Sequence, residues 1–335
     1  VTGGRVERGS TIGVSVSNGT ATVPLSQLAV SFSPAGAAEV VGDSVHLLKA
    51  GSLTVTVTQG GRTGSATVDV AAPPTVVFDR LLAGNRDIWR VDLDGQNLTQ
   101  LTTNAGDDQQ PTAAKGTVVF VSYRAGNAEL YSVPLAGGSD TRLTSTAKDE
   151  GTPAFSRDGT KLAYSYTPTD VSKIFTATAT AGSPQQQEPG TGAEVIEVSP
   201  TWSPTGALAF VSTANGTADI FTSTGQGQQT LLVGGPNAEV EPSWSPDGAN
   251  VAFVSNRTGT VEIFLVNVAS KAVTQLTSGA GTKSEPSWTP DGRLVYLETQ
   301  GSTTRLRWID PAAPAVVHLI DTGTGTVGHP SAVVP

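Results

Sequence analysis

The sequence predicts an all-β protein of two domains, a small sandwich followed by a larger array of repeated sheets. Three observations carry this expectation. A short segment recurs as PTAAKG (111–116), PAFSRDG (153–159), PTWSPTG (200–206), PSWSPDG (242–248) and PSWTPDG (286–292), at intervals of 42, 47, 42 and 44 residues. Self-similarity at that period marks a unit of four short strands, a propeller blade, which buries its faces only by stacking on its neighbours. Apolar residues alternate with period two, as in Leu53-Thr54-Val55-Thr56-Val57, and no stretch shows helical spacing. The third observation is Ala71-Ala72-Pro73-Pro74, which parts a stretch without the repeat from one that carries it.

Before the prolines, alternating segments at 12–16, 28–32, 44–48, 53–57 and 66–70 predict strands. Turn signals at Asn18-Gly19, Pro34-Ala35-Gly36, Gly42-Asp43 and Gly60-Gly61 space them as in a small sandwich. The run from Val45 to Val57, with its Lys49-Ala50-Gly51 turn, resembles bacterial Ig-like domains of the second type. That resemblance covers residues 1–71 and implies an adhesion or spacer module without an active site.

After the linker at 72–75, each repeat opens with an apolar strand holding an aromatic: Phe78, Phe120, Tyr164, Phe210, Phe253 and Tyr296. Eleven residues later stands a second: Trp89, Tyr131, Phe175, Phe221 and Phe264, with Arg307 in the last copy. Rings at fixed offsets suit radial packing between sheets, so they and Trp244 are expected in the core. Six copies predict six blades over residues 76–335. The first lacks its innermost strand, and a surplus copy, His329-Pro330-Ser331-Ala332-Val333-Val334, stands near the C-terminus. The C-terminal strand is therefore expected to pair into the first blade and close the ring.

The best copies, Pro242-Ser243-Trp244-Ser245-Pro246-Asp247-Gly248 and Val251-Ala252-Phe253-Val254-Ser255-Asn256-Arg257, resemble the six-bladed propeller of TolB-family periplasmic proteins. The resemblance implies the fold. Related propellers serve as docking modules, sensors and gating lids of peptidases.

Composition narrows the function. A net charge of −9 and a pI near 4.8 repel a phosphate backbone, so no nucleic-acid partner is expected. No run approaches the roughly 20 apolar residues of a membrane-spanning helix. There is no Cys and no Met, and a start at Val1 fits a processed product of export to a bacterial periplasm or cell surface. The three histidines, His46, His318 and His329, are too scattered for a zinc motif. No GxSxG elbow or glycine-rich phosphate loop is present, so no catalytic residue, metal or cofactor is expected.

One constellation stands out. Carboxylates precede the innermost strand of successive repeats, at Asp107 and Asp108, Asp149 and Glu150, Glu194 and Glu197, Glu239 and Glu241, and Glu285. Their place predicts a rim at one mouth of the central channel. Asp108, Glu150, Glu197, Glu239, Glu241 and Glu285, with His329 beside them, are the candidate contacts for a basic partner segment or an ion. Asp92-Leu93-Asp94-Gly95-Gln96-Asn97 has the opening rhythm of a calcium loop but falls where a hairpin turn is needed. Asp87, Glu129, Asp219 and Glu262 are expected to pair with Arg80, Arg124 and Arg257 and fix the hairpins. The function expected is a non-catalytic binding or scaffold protein docked on a larger periplasmic or membrane-associated complex. A carbohydrate or cell-wall binder and an accessory propeller of a hydrolase or lyase are the alternatives.

Overall fold

The computed structural model describes residues 6–17, 22–167, 171–179, 186–188, 194–225 and 228–335. The turn expected at Asn18-Gly19 lies outside them. Among the described residues the secondary structure is β apart from one 3-10 turn, Leu25–Gln27, and no helix is long and apolar enough to cross a membrane. The chain divides into two compact units, Val1–Pro73 and Pro74–Pro335.

In the first unit Ser44–Leu47 pairs on one side with Thr11–Gly13 and on the other with Ala38–Val41. A second sheet joins Ala29–Ser33, Gly51–Gln59 and Arg62–Val70 in that order. Val45 and Leu47 of one sheet and Leu53, Val55 and Val70 of the other share one buried cluster. Period-two alternation is what turns these side chains to a common side.

The second unit contains six four-stranded antiparallel sheets among the described residues, numbered here from 1 to 6 along the chain. Their inner strands are Asp108–Ala114 in sheet 2, Glu150–Phe155 in sheet 3, Glu197–Trp202 in sheet 4, Glu239–Trp244 in sheet 5 and Thr282–Trp288 in sheet 6. Sheet 1 takes its inner strand from the far end of the sequence: Thr326–Ala332 lies antiparallel to Thr75–Leu82. Each inner strand contacts the next, and Thr326–Ala332 contacts those of both sheet 6 and sheet 2.

The aromatic offsets are explained by register. Phe78 faces Trp89 across the ladder, Phe120 faces Tyr131, Tyr164 faces Phe175, Phe210 faces Phe221, Phe253 faces Phe264 and Tyr296 faces Arg307. The first ring of each pair is at most 1% exposed. Such a buried ring contributes roughly 1.5–3 kcal/mol. Sheets pack through these columns, as where Val77 and Ile88 of sheet 1 meet Phe120 and Tyr131 of sheet 2.

Candidate functional site

Four of the predicted rim carboxylates are not on a rim. Asp108, Glu150, Glu197 and Glu239 open the inner strands, and none is more than 1% exposed. Both oxygens of Asp108 accept from Arg124 Nη2, at 3.0 and 3.1 Å. Glu239 accepts from Arg257 Nη2 at 2.9 Å and Ser255 Oγ at 3.2 Å. Glu150 takes hydroxyls, Thr144 Oγ1 at 3.1 Å and Thr146 Oγ1 at 2.7 Å, and shares a side-chain hydrogen bond with Glu129. Burial, with the charge of Glu129 nearby, pushes the Glu150 carboxyl up to about 7.

The arginines follow from this. Arg124 and Arg257 do not hold Glu129 and Glu262, as the spacing had predicted; they reach across to the inner-strand carboxylates and lie over the aromatic pairs. The Arg124 guanidinium sits 4.4 Å from the Tyr131 ring, and that of Arg257 sits 5.1 Å from Phe253. Arg80 covers Trp89 at 4.6 Å and donates to the Thr324 carbonyl. Glu129 is held by Arg142 at 2.7 Å, and Glu262 by Thr277 Oγ1 at 2.6 Å with Lys283 at 3.5 Å. Asp87 and Asp219 take side-chain amides and hydroxyls, from Asn85, Gln100 and Thr102 and from Asn215 and Thr217.

Two residues beyond the strand start in sheets 2 to 5, and three in sheets 6 and 1, the ladder slips. A register shift occurs in all six inner strands, and the residue before the repeated proline adopts a left-handed backbone. These residues are Gln110 (φ 54°), Thr152 (45°), Ser199 (54°), Glu241 (54°), Glu285 (54°) and His329 (46°). A bulge bends the strand and re-aims one side chain. Here the re-aimed position carries a polar group in every sheet.

Five of the six bulge amides bond to a side chain of the preceding sheet. Gln110 N donates to Asp79 Oδ2 at 3.3 Å, Thr152 N to Gln110 Oε1 at 2.7 Å and Ser199 N to Thr152 Oγ1 at 3.3 Å. Glu285 N donates to Glu241 Oε2 at 2.6 Å, and His329 N to Glu285 Oε2 at 2.5 Å. The hydrogen bonds offset the backbone strain of these five non-glycine residues at positive φ.

All six bulge residues line one central cavity of about 250 Å³, whose walls continue through Phe155, Trp202, Trp244 and Trp288. Arg157 also lines it, and among the six bulge residues charge is segregated. Gln110, Thr152 and Ser199 make a neutral arc; Glu241, Glu285 and His329 make a charged one. Asp79, which is fully buried, accepts from Arg86 and lies 2.5 Å from His329 Nδ1. Burial lowers the proton affinity of His329, but the hydrogen bond and charge of Asp79 and the charge of Glu285 outweigh it, so its pKa is raised. Burial raises the carboxyls of Glu241 and Glu285 as well.

Of the predicted contacts, Glu241, Glu285 and His329 come together at the cavity, while Asp108, Glu150, Glu197 and Glu239 are held within the sheets. Sequence reasoning missed Gln110, Thr152, Ser199 and Asp79. The first three were signalled by the residue-before-proline column of the repeat; Asp79 carried no such mark.

The remaining motifs are turns. Asp92 accepts from Thr75 Oγ1 and Asn97 Nδ2, both at 2.8 Å, and Asp94 accepts from Gln96 N, so these carboxylates tie the turn to itself and to the adjoining strand. In the Pro-Asp-Gly turn, Asp247 Oδ1 accepts from Ser245 Oγ at 2.6 Å and Ala249 N at 2.9 Å. Those bonds hold its carboxyl below the usual range. Asx geometry of this kind is a turn device.

A fold of radially stacked sheets around a polar-mouthed cavity defines the class of β-propeller proteins, and comparison narrows it. Residues 191–305 match the family model of the TolB beta propeller domain. Among solved structures, TolB from Acinetobacter baumannii is 17% identical with a TM-score of 0.70, the match covering 85% of this chain and 80% of that one. A protein described as TolB from Agrobacterium tumefaciens is 19% identical with a TM-score of 0.62, over 77% of this chain and 92% of that one. Hydrazine synthase of Kuenenia stuttgartiensis is 12% identical with a TM-score of 0.64, over 78% of this chain and 47% of that one. A search of curated proteins returned no match. This chain is thus an all-β protein with a TolB-like propeller fold.

Proposed function

We propose that this chain is an exported, non-catalytic binding protein of the bacterial periplasm or cell surface that docks on a larger periplasmic or membrane-associated assembly. In this reading residues 1–71 form a bacterial Ig-like sandwich, and residues 76–335 form a six-bladed propeller closed by its C-terminal strand. The six sheets and the pairing of Thr326–Ala332 with Thr75–Leu82 support that architecture.

The carrying observation is the charged arc. Glu241 and Glu285 stand side by side in the cavity of a chain with net charge −9. A lysine or arginine side chain from a partner loop satisfies both carboxylates at once, and the acidic field steers such a partner in. The absence of turnover is supported by the placement of the histidines: His46 bonds Thr11, His318 stacks on Trp308, and His329 is engaged by Asp79. The structural likeness to TolB supports a binding role in the envelope.

The test is a pull-down from gently solubilised envelopes with wild-type protein and with Glu241→Gln plus Glu285→Gln. The wild type is expected to recover a protein assembly, and the double variant to lose at least tenfold at low salt, where screening is least. A strictly monomeric endogenous protein on native gels, or purified protein that cleaves a glycan or peptide panel, defeats the reading.

A further inference from the structure

The junction between sheets 3 and 4 differs from its neighbours in one column. The residue paired across the ladder with the position two before the first aromatic is Val91, Val133, Ala177, Val266 or Ile309 in five sheets; in sheet 4 it is Ser223, opposite Leu208. Ser223 is smaller than the Val or Ile of four sheets and, unlike Ala177 of sheet 3, which also lines this seam, it is polar and turns its hydroxyl back on Gly225, accepting from its amide at 3.2 Å. The cluster of fully buried residues at this junction is correspondingly small: Ala163, Ile174, Leu208, Phe210 and Phe221, with Trp202 at its margin.

What remains is a recess of about 340 Å³, separate in its lining from the bulge ring. Its walls include Thr176 and Thr178 from sheet 3 and Trp202, Ser223 and Thr224 from sheet 4, with Lys161 beside them. The Trp202 indole is held in place, since Nε1 donates to the Ala154 carbonyl at 3.1 Å. The Lys161 ammonium lies 5.9 Å from its ring centroid.

We propose that this recess is a binding site for a sugar ring carrying an acidic group. A fixed aromatic plane offers the apolar C–H face of a pyranose a flat partner. Hydroxyls of Thr176, Thr178 and Thr224 both donate and accept, which matches ring hydroxyls and suits no purely apolar ligand. Lys161 is the cation in the lining and takes the carboxylate as a point charge. The size fits one residue of a glycan. None of the bulge residues lines the recess, and Trp202 is the residue it shares with the wall of the central cavity.

The experiment is saturation-transfer NMR and tryptophan fluorescence on the full chain, with galacturonic acid and N-acetylmuramic acid as acidic probes and galactose and N-acetylglucosamine as neutral ones. Acidic probes are expected to give transfer to ring protons and to quench fluorescence at millimolar concentration. Ser223→Val refills the seam and is expected to abolish the signal. Lys161→Gln is expected to weaken the acidic probes at least fivefold without moving the neutral ones. Trp202→Phe, which places the ring type of Phe155 at the equivalent point, keeps the fold and lowers affinity. No transfer from any probe to the wild type, transfer that survives Ser223→Val, or equal binding of acidic and neutral sugars overturns the assignment.

Discussion

Glu239 and Glu241 stand two residues apart on one strand and have opposite fates. Glu239 is 1% exposed and neutralised by Arg257, whereas Glu241 lines the cavity and lends one oxygen to the amide of Glu285. Sheets 2, 3 and 4 repeat the contrast with Asp108 and Gln110, Glu150 and Thr152, Glu197 and Ser199. In a regular strand residues i and i+2 share a face. The bulge before the proline breaks that rule, so the first position serves the sheet and the second serves the channel.

The contrast is open to test at several strengths. Removing residues 326–335 takes away the inner strand of sheet 1 together with His329, leaves the edge at Thr75–Leu82 unpaired and unseats Asp79. Melting is expected to fall by many degrees, with oligomers on size exclusion. A truncated chain that melts with the full one ends the account of the sixth inner strand.

Asp108→Ala takes both Nη2 bonds from Arg124, leaves it to Asp140 and Ser122, and is expected to cost about 2 kcal/mol in denaturant unfolding. A loss below about 1 kcal/mol, the usual value of an exposed pair, erases the difference between the two positions.

Glu150 sharpens it, since the hydroxyls of Thr144 and Thr146 bond its carboxyl. Its folded pKa, about 7, is raised above the ordinary value, so the neutral acid is what the fold favours. That contribution is present at low pH and is lost as pH rises through about 7. Glu150→Gln is therefore expected to match the wild type near pH 5 and to gain on it near pH 8.5, measured as the difference in melting temperature. A gap that widens toward acid contradicts the assignment.

At the second position effects on stability should be small. Glu241→Gln with Glu285→Gln is expected to move unfolding by under about 1 kcal/mol, because an amide oxygen still accepts from the next bulge amide. The smallest effect belongs to His329→Gln. Folding raises the His329 pKa, so its contribution is complete below about 6.5 and fades as pH climbs through the raised value. The variant should flatten the wild-type decline in melting temperature across that interval; an unchanged slope removes His329 from it.

Much of the fold was legible because core positions recur. Phe253 and Phe264 announce each other by their offset, and the surplus Pro330 segment announced the strand that sheet 1 lacked. The site was less legible for a physical reason. Period-two reading assigns Glu239 and Glu241 to one face, and only the left-handed turn at Glu241, φ 54°, separates them. The partners of Glu129 and Glu262 were missed because Arg142 comes from the outer strand of the same sheet and Lys283 from the inner strand of the next, at positions the repeat does not mark. Asp79, central to the charged arc, lies mid-strand among Val77, Phe78 and Leu81 and reads as one more strand residue.

The pairing of the first and last strands of the second unit has a consequence for synthesis. Asp79 and His329 are 250 residues apart. A ribosome adding about 5–20 residues per second needs roughly 12–50 s to pass from one to the other. During that time sheets 2 to 5 can form from local hairpins as they emerge. Sheet 1 waits with an open apolar edge, and sheet 6 waits for its second neighbour. The nascent chain is thus a row of finished sheets with an unfinished sheet at its start, and that sheet is where a chaperone has something to hold.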